Sequence, residues 1–323
     1  MPKFLLRRLG YALLTLLGTT FILYALMRMM PGSYIQSLTS DNPNISKEMI
    51  ERLSAMYGLG DNIPAGYLHW LGGLIHGNLG QSFIYGVPVL KLILSKLPVS
   101  FALSATAFAL QLLIAVPLGI VGAGRRGTYF DDVTTLAALV GISLPGFFAA
   151  ALLRDLLAVH LRLLPFSGMV SARLLPGTLA YGLNFAQHMI LPVFVLTLTG
   201  IGGLMRYSRT NTLDVLRADY IRTARAKGCG EGRVLLRHAF RNTLIPLATI
   251  VGGSLPGLFS GAMIVEQLFS IDGVGHTAFN ALGSGDIPLY MGFCVFFACL
   301  TVAGMLLTDL LYAVADPRIK IVR

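Results

Sequence analysis

Six apolar runs, each close to or above the length needed to cross a bilayer, dominate this sequence. A membrane-spanning helix needs about 20 mostly apolar residues, because each residue adds only about 1.5 Å along the axis. The runs lie at about 9–30, 98–122, 133–161, 189–205, 244–269 and 289–314. This pattern predicts an all-α polytopic membrane protein with six transmembrane helices.

The composition excludes other classes. Of the 323 residues, 55% are hydrophobic and 12% are charged. A net charge of +10 could indicate nucleic-acid binding, but the cations cluster beside the apolar runs, as is usual in membrane proteins. The three cysteines, Cys229, Cys294 and Cys299, have neither disulfide nor metal-ligand spacing. We therefore expect no metal or cofactor bound by this chain.

The charge distribution predicts an orientation and a division of the chain. Most of the 25 Lys and Arg residues face the cytoplasm if both termini are placed there. Residues 1–31 then form the tail and first span, and residues 32–97 form an extracytoplasmic segment. Residues 98–323 contain the other five spans, with a cytoplasmic loop at 206–246.

That loop is the most informative polar stretch. Between Arg206 and Arg241 it contains nine Lys or Arg residues and three acidic ones. A generic positively charged loop of a membrane protein is one interpretation. A docking surface for another protein is the alternative.

The spacing within the loop predicts two short helices separated by a turn. Gly228 is expected at the turn, because a left-handed backbone costs glycine nothing. The predicted faces have helical period: an apolar one in the first helix (Leu213, Leu216, Tyr220, Ala224), and a basic one (Arg233, Arg237, Arg241) beside an apolar one (Leu236, Phe240) in the second.

The strings 220–228 and 237–246 resemble the ATPase-docking loop of ABC-importer permeases. Arg222-Thr223-Ala224 stands where that family has Glu-Ala-Ala, Gly228 matches its glycine, and Arg241 replaces its proline. The local string is most similar to the branch that transports peptides and nickel. The resemblance implies that the loop receives an ATPase subunit through a set of coupling residues: Tyr220, Arg222, Thr223, Ala224, Arg225, Gly228, Arg237 and Arg241.

Further matches to this branch extend along most of the chain. They occur at 6–8, 31–32, 57–61, 67–71, 76–82, 265–275, 286–288 and 316–318, with Asn78 in place of Asp and Asp272 in place of Pro. The resemblance implies the type I importer fold in a bacterial plasma membrane. It also implies four partners: a second, homologous permease in a heterodimer, two ATPases and an extracytoplasmic binding protein.

The same resemblance implies a function. Peptides are the expected cargo, with nickel chelates, glutathione or other small solutes as alternatives. No Gly-x4-Gly-Lys-Ser/Thr string occurs in the sequence, so ATP and Mg²⁺ are expected on the partner ATPases and not on this chain. We therefore do not expect this chain to be an enzyme.

Several residues within the spans are candidate sites. Gly253, Gly257 and Gly261 recur every four residues, a spacing that allows close helix approach. They either pack within the chain or line a translocation path or subunit seam. Glu266, which matches the family pattern, is expected to have a structural role at an outer gate.

Charged residues inside predicted spans carry two further hypotheses. Arg154 and Asp155 lie in the third run, and intramembrane charges often have a function. The alternative is that Arg154 extends toward the interface while Asp155 pairs with another helix. Gly283-Ser-Gly-Asp286 matches a string of intramembrane aspartyl proteases, which would need a second carboxylate from Asp155 or Asp309.

Overall fold

The structure is a helical bundle. The computed structural model describes residues 2–29, 48, 51, 55, 60–171, 174–260 and 262–315. Within these ranges there is no strand beyond one isolated antiparallel bridge between Gln81 and Pro88, so the predicted all-α class is confirmed. The helices are α1 (Pro2–Met29), α2 (Ile63–Ile75), α3 (Val89–Gly124), α4 (Tyr129–Ser143), α5 (Gly146–Arg154), α6 (Leu179–Leu216), α7 (Asp219–Ala226), α8 (Glu231–Arg233), α9 (Phe240–Ser260), α10 (Met263–Phe269), α11 (Val274–Gly283) and α12 (Ile287–Ala315).

Length and composition identify the membrane-spanning elements. Among the described residues, four helices could each cross a bilayer, namely α1, α3, α6 and α12, and a bent pair raises the number to five. The predicted fifth run, 244–269, falls on α9 and α10. The protein is therefore polytopic, and the count of six spans stays a prediction.

The predicted third run is not one straight helix. It is divided into α4 and α5, which meet at an angle of 97°. Leu144 has an extended backbone (ψ 121°), because the ring of Pro145 disfavours helical geometry in the residue before it. A π-helical turn, Asp155–His160, continues α5. The span predicted at 133–161 is therefore a broken one.

Two helices extend well beyond their predicted bounds. Helix α3 begins at Val89 and α6 runs from Leu179 to Leu216, so the predicted boundary between residues 97 and 98 falls within a helix. Charged and polar residues mark the predicted span limits, but long cationic side chains can reach the headgroup region from a continuing helix. Thr178 caps the start of α6, where its hydroxyl accepts the Tyr181 N–H at 3.2 Å.

Helices α3 and α6 pack along each other and form the centre of the bundle. A Cβ added to Gly119 on α3 would lie 2.6 Å from the Met205 carbonyl oxygen on α6. Only glycine permits this approach between two backbones. A buried apolar cluster that includes Val89, Ile93 and Phe293 lies at the start of α3. Helix α11 and the start of α12 pack over it.

An aromatic cluster fastens the first helix to the bundle. Tyr24 stacks on Trp70 with ring centroids 5.5 Å apart, and the Tyr67 hydroxyl lies 2.9 Å from the Thr20 hydroxyl. Met291 and Val295 of α12 complete the cluster. Helix α2 is thus held between α1 and α12, near the start of α12.

Candidate functional site

The polar segment 206–246 folds as helices joined by a turn, with one boundary that differs from the prediction. Leu213 and Leu216 belong to the end of α6, and a new helix, α7, starts after Ala218, whose backbone is extended (ψ 148°). The helical periodicity continues across this break, so the sequence pattern could not reveal it.

Helix α7 lies on the protein through two side chains. Ile221 is 0% exposed and Ala224 is 7% exposed, whereas Tyr220 is 46% exposed. Of the predicted apolar face, Ala224 is buried and Tyr220 is not, because Ile221 occupies the buried face in its place. Tyr220, Arg222 and Thr223 consequently face outward.

The turn at Gly228 is confirmed. Its φ angle is +80°, in the left-handed region that favours glycine. The Cys229 N–H donates to the Ala224 carbonyl at 3.2 Å, and the Gly228 N–H donates to the Arg225 carbonyl at 2.9 Å. These two bonds are a Schellman motif, which ends α7 and redirects the chain toward α8.

An ion pair closes the turn from the solvent side. Arg225 donates two hydrogen bonds to Glu231, from Nε at 2.7 Å and from a terminal nitrogen at 3.0 Å. The guanidinium lowers the pKa of the Glu231 carboxyl, and the carboxylate raises the pKa of Arg225. The pair links α7 to α8 across Gly228 and limits how far the two helices can move apart.

The second helix presents its cations outward, as predicted, but its apolar face differs. Arg233, Arg237 and Arg241 are exposed. Leu236, on the predicted apolar face, is 69% exposed, while Val234 and Ala239 are buried. A π-helical stretch, Val234–Ala239, connects α8 to α9. Its wider turn rotates the buried face relative to the α-helical period.

An open cleft of ≈ 380 Å³ lies where α3, α6 and α9 meet. A Cβ built on Gly253 or Gly257 would meet no atom of the described structure within 4 Å. Neither glycine is therefore required for close packing against the part of the chain that the structure describes. Gly261, the third glycine of the predicted stripe, lies outside the described residues. The cleft is lined by Ser104, Ala107, Phe108, Gln111, Leu196, Gly253, Ser254, Gly257, Leu258 and Ala262.

Gln111 is a polar side chain of this cleft that the sequence analysis missed. Its amide donates to the Leu196 carbonyl at 2.7 Å, which fixes the side chain across the gap between α3 and α6. A single amide in the middle of the long apolar run 98–122 was the available signal.

Glu266 is buried beside the start of α11. Its Oε2 accepts the His276 N–H at 3.0 Å, while the Ser100 hydroxyl accepts the Val274 N–H at 2.7 Å. Both bonds satisfy N–H groups that a helix start leaves without partners. Oε1 of Glu266 has no hydrogen-bond partner among the described residues. This geometry is that of a structural brace, and the role at a gate stays a prediction.

Arg154 and Asp155 do not pair with each other. Arg154 donates to the Leu268 carbonyl at 2.6 Å and its guanidinium lies 4.4 Å from the ring centroid of Phe166. The Asp155 carboxylate lies 3.2 Å from His160, one turn away on the same helix. The alternative in which Asp155 pairs with another helix is therefore not what the structure shows, because Asp155 contacts its own π-helical turn and Arg154 bridges to α10. A functional role for these charges stays a prediction.

Asp286 caps the last helix. Its Oδ2 accepts the Ser82 hydroxyl at 2.5 Å and the Ile84 N–H at 3.2 Å, and its Oδ1 accepts the Leu289 N–H at 3.2 Å. None of these partners is a carboxyl, whereas an aspartyl protease needs two carboxyls sharing a proton. The side chain of Asp309 lies outside the described part of the structure.

One further ion pair was not anticipated. Arg209, near the end of α6, donates to both oxygens of Asp131 at 2.6 and 2.8 Å. Asp131 is almost fully buried and also accepts the Gly127 N–H at 3.1 Å. The pair joins the start of α4 to the part of the polar segment that lies at the end of α6. The sequence alone could not predict this pair, since the two partners are 78 positions apart in the chain.

These features define a polytopic helical membrane protein with a charged helix–turn–helix at one end and a braced helix cluster at the other. Sequence comparison gives the family. Residues 115–321 match the family described as "Binding-protein-dependent transport system inner membrane component". Residues 1–104 match the family that describes the N-terminal part of the same membrane components. The chain belongs to this family of permease components and is a multi-pass inner-membrane protein.

Full-length relatives are similarly named. The chain is 37% identical to the oligopeptide transport system permease protein AppB of Bacillus subtilis over 99% of this chain and 100% of that protein. It is 34% identical to the dipeptide transport system permease protein DppB of Escherichia coli over 99% of each chain. A putative peptide permease protein of Brucella suis is 35% identical over 99% of this chain and 100% of its own length. The family is one of transport components and not of enzymes, so the protease alternative is not supported.

Proposed function

We propose that this chain is one of two permease subunits of an ATP-driven importer of peptides. The observation that carries the proposal is full-length similarity, at 34–37% identity, to proteins named as oligopeptide and dipeptide permeases. Nickel chelates, glutathione and other small solutes are the alternative cargoes. The proposed partners are a homologous second permease, two ATPases that use ATP and Mg²⁺, and a binding protein.

The coupling surface is proposed on α7, the Gly228 turn and the start of the helix that follows. The exposed residues of the predicted coupling set are Tyr220, Arg222, Thr223, Arg225, Gly228, Arg237 and Arg241. A rigid surface transmits a push better than a flexible loop, and the Schellman turn with the Arg225–Glu231 pair supplies that rigidity. Ala224 has a different role, because it is buried and seats α7 on the protein.

The translocation path is proposed along the α9 face that carries Gly253 and Gly257. The open cleft there leaves space that no described side chain of this chain fills. A second permease subunit facing the cleft would complete the path. Gln111 supplies an amide at its wall, a group suited to hydrogen bonding with peptide backbone.

Reconstitution in proteoliposomes tests the function. Uptake of a labelled dipeptide or short oligopeptide should require this chain, the second permease, both ATPases, the binding protein and ATP together. Uptake of a nickel chelate or glutathione, with no peptide uptake, would replace the proposed cargo. Uptake that persists without ATP or without the ATPases would reject the importer mechanism.

Charge reversal tests the coupling surface separately. Arg222→Glu combined with Arg237→Glu should abolish co-purification of the ATPases and ATP-driven uptake. Lys91→Glu is the control, because Lys91 is exposed near the start of α3. The segment from α8 to α9 packs against the opposite end of α3, so Lys91 lies away from the proposed docking surface. Unchanged ATPase binding in the double variant would place the docking surface elsewhere.

Thiol labelling tests the proposed orientation, with both termini and residues 206–246 in the cytoplasm and 32–97 outside. Cys229 lies in the α7–α8 turn with intermediate exposure. In a variant that keeps it as the only cysteine, an impermeant maleimide should label Cys229 only after the cells are permeabilised. Tyr85→Cys in a chain without other cysteines should be labelled in intact cells. Labelling of Cys229 in intact cells, with no labelling at position 85, would show that the orientation is the reverse of the proposed one.

A further inference from the structure

A groove with cations at one end lies between the first and last helices, away from the coupling surface and the cleft. Its volume is ≈ 420 Å³. Arg7 to Thr15 on α1 form one wall, and Val302 to Leu306 on α12 form the other. The lining residues are Arg7, Arg8, Tyr11, Ala12, Thr15, Val302, Met305 and Leu306.

The two ends of the groove differ in chemistry. Arg7 and Arg8 lie at the end nearest the N-terminus, whereas Ala12, Val302 and Met305 make the remaining walls mostly apolar. Since a helix rises about 1.5 Å per residue, the wall from Arg7 to Thr15 is roughly 12 Å long. That is a polar head site followed by a slot in which part of a hydrocarbon chain can lie.

Arg7 is oriented by its neighbour. Its Nε donates to the Tyr11 hydroxyl at 3.0 Å, and its guanidinium carbon lies 5.6 Å from the centroid of the Tyr11 ring. The hydrogen bond uses one of the five N–H donors of an arginine side chain. A planar guanidinium held in this way is well suited to a phosphate, which accepts two parallel N–H bonds.

We propose that this groove binds one anionic phospholipid of the surrounding membrane. The phosphate lies at Arg7 and Arg8, and an acyl chain runs past Ala12 between Val302 and Met305. Charge complementarity favours a negative headgroup, and basic sites between transmembrane helices are known to select such lipids. The continuous apolar slot favours an amphiphile over a soluble anion. The proposal rests on the membrane location of the chain and not on its transport role.

Native mass spectrometry of the purified full-length chain tests the site. The probes are phosphatidylglycerol and phosphatidylcholine with identical acyl chains. We expect phosphatidylglycerol to bind more tightly, and Arg7→Gln with Arg8→Gln to weaken it on the order of tenfold and to remove its advantage over phosphatidylcholine. Met305→Trp, which fills the slot but keeps both cations, should weaken binding of both lipids.

Arg125→Gln with Arg126→Gln is the matched control. It also removes two adjacent arginines at the end of a long helix, but these lie outside the groove, so phosphatidylglycerol binding should be unchanged. Arg7→Lys with Arg8→Lys keeps the positive charge and should retain the preference for phosphatidylglycerol. If the glutamine variant does not fold, loss of the preference in this lysine variant would also count against the proposal. Equal binding of the two lipids, or an equal loss in the control, would overturn the proposal. So would a photo-crosslinker at position 305 that captures protein and not lipid.

Discussion

Two regions of the molecule, the helix cluster around Glu266 and Asp286 and the helices on either side of Gly228, use charged side chains in opposite ways. At the end formed by α10, α11 and the start of α12, Glu266 and Asp286 are buried and accept backbone N–H groups. At the polar segment, α7 and the helix after it bury small or aliphatic side chains and expose their arginines. The first arrangement stabilises this chain from within, whereas the second leaves charge available to another protein.

This difference predicts where substitutions damage the fold and where they damage function. A buried carboxylate that satisfies several donors leaves all of them without partners when it is removed. Replacing an exposed cation changes the free energy of unfolding little, because water already solvates the charge in the folded protein. The predictions below test that contrast, from the largest expected effect to the smallest.

Asp286→Ala should be the most destabilising of these substitutions. It removes the cap of α12 and leaves the Ser82 hydroxyl and the Ile84 N–H without their acceptor. We expect a loss of about 3 kcal/mol, measured by thermal unfolding of the purified protein in detergent. Asp272→Ala is the control, because that carboxylate is 58% exposed in an ion pair with Lys96. Equal losses in both variants would contradict the contrast.

Gly273→Ala and Gly253→Ala should differ strongly in stability. A Cβ at Gly273 would lie 2.4 Å from the Ser100 hydroxyl and 2.5 Å from Oε2 of Glu266, whereas a Cβ at Gly253 enters open space. Overpacking at the buried site should cost about 2 kcal/mol. Gly253→Ala should leave the unfolding temperature nearly unchanged and alter only uptake. A destabilised Gly253→Ala would show that the cleft is closed by packing within the chain.

Gly228→Ala should destabilise the turn locally by about 1 kcal/mol, because an L-residue with φ of +80° is strained. Hydrogen exchange at the Cys229 N–H, which bonds to Ala224 across the turn, reports the effect. Gly230→Ala is the control, since its φ of −61° suits alanine. Faster exchange in both variants would indicate general fraying and not strain at Gly228.

The Arg225–Glu231 pair should contribute the least to folding. The side chains of Arg225 and Glu231 are 41% and 72% exposed, so solvent screening limits the coupling energy in a double-mutant cycle to below about 1 kcal/mol. ATPase coupling should nevertheless fall in Glu231→Gln, which breaks the ion pair and leaves Arg225 on the proposed docking surface. Full coupling in Glu231→Gln would show that the turn does not need the Arg225–Glu231 ion pair to transmit the motion of the ATPases.

The pH dependence of this pair has a defined sign. Arg225 holds the pKa of Glu231 below its ordinary value of 4.5, so its contribution to stability is fully present above pH 4.5. It is lost as the pH falls through the lower folded-state pKa. A Glu231→Gln variant should lack this component of acid sensitivity in thermal unfolding.

Local patterns in the sequence determined the features that depend on near neighbours in the chain. The apolar runs required membrane helices, since a bilayer leaves no other partner for their backbone groups. The Gly228 turn and the arginine face were predictable for the same reason, because helix termini and periodicity involve residues only a few positions apart.

Only the tertiary structure decided which residues the bundle buries and where the long helices bend or end. Ile221 replaces Tyr220 on the buried face of α7 because a break at Ala218 resets the helix. Arg209 meets Asp131, and Ser82 meets Asp286, across 78 and 204 positions of sequence. Contacts over such distances form only when helices pack, so single-residue patterns carry no record of them. The cleft beside Gly253 is a further case, because empty space is a property of the packed helices and not of any one segment.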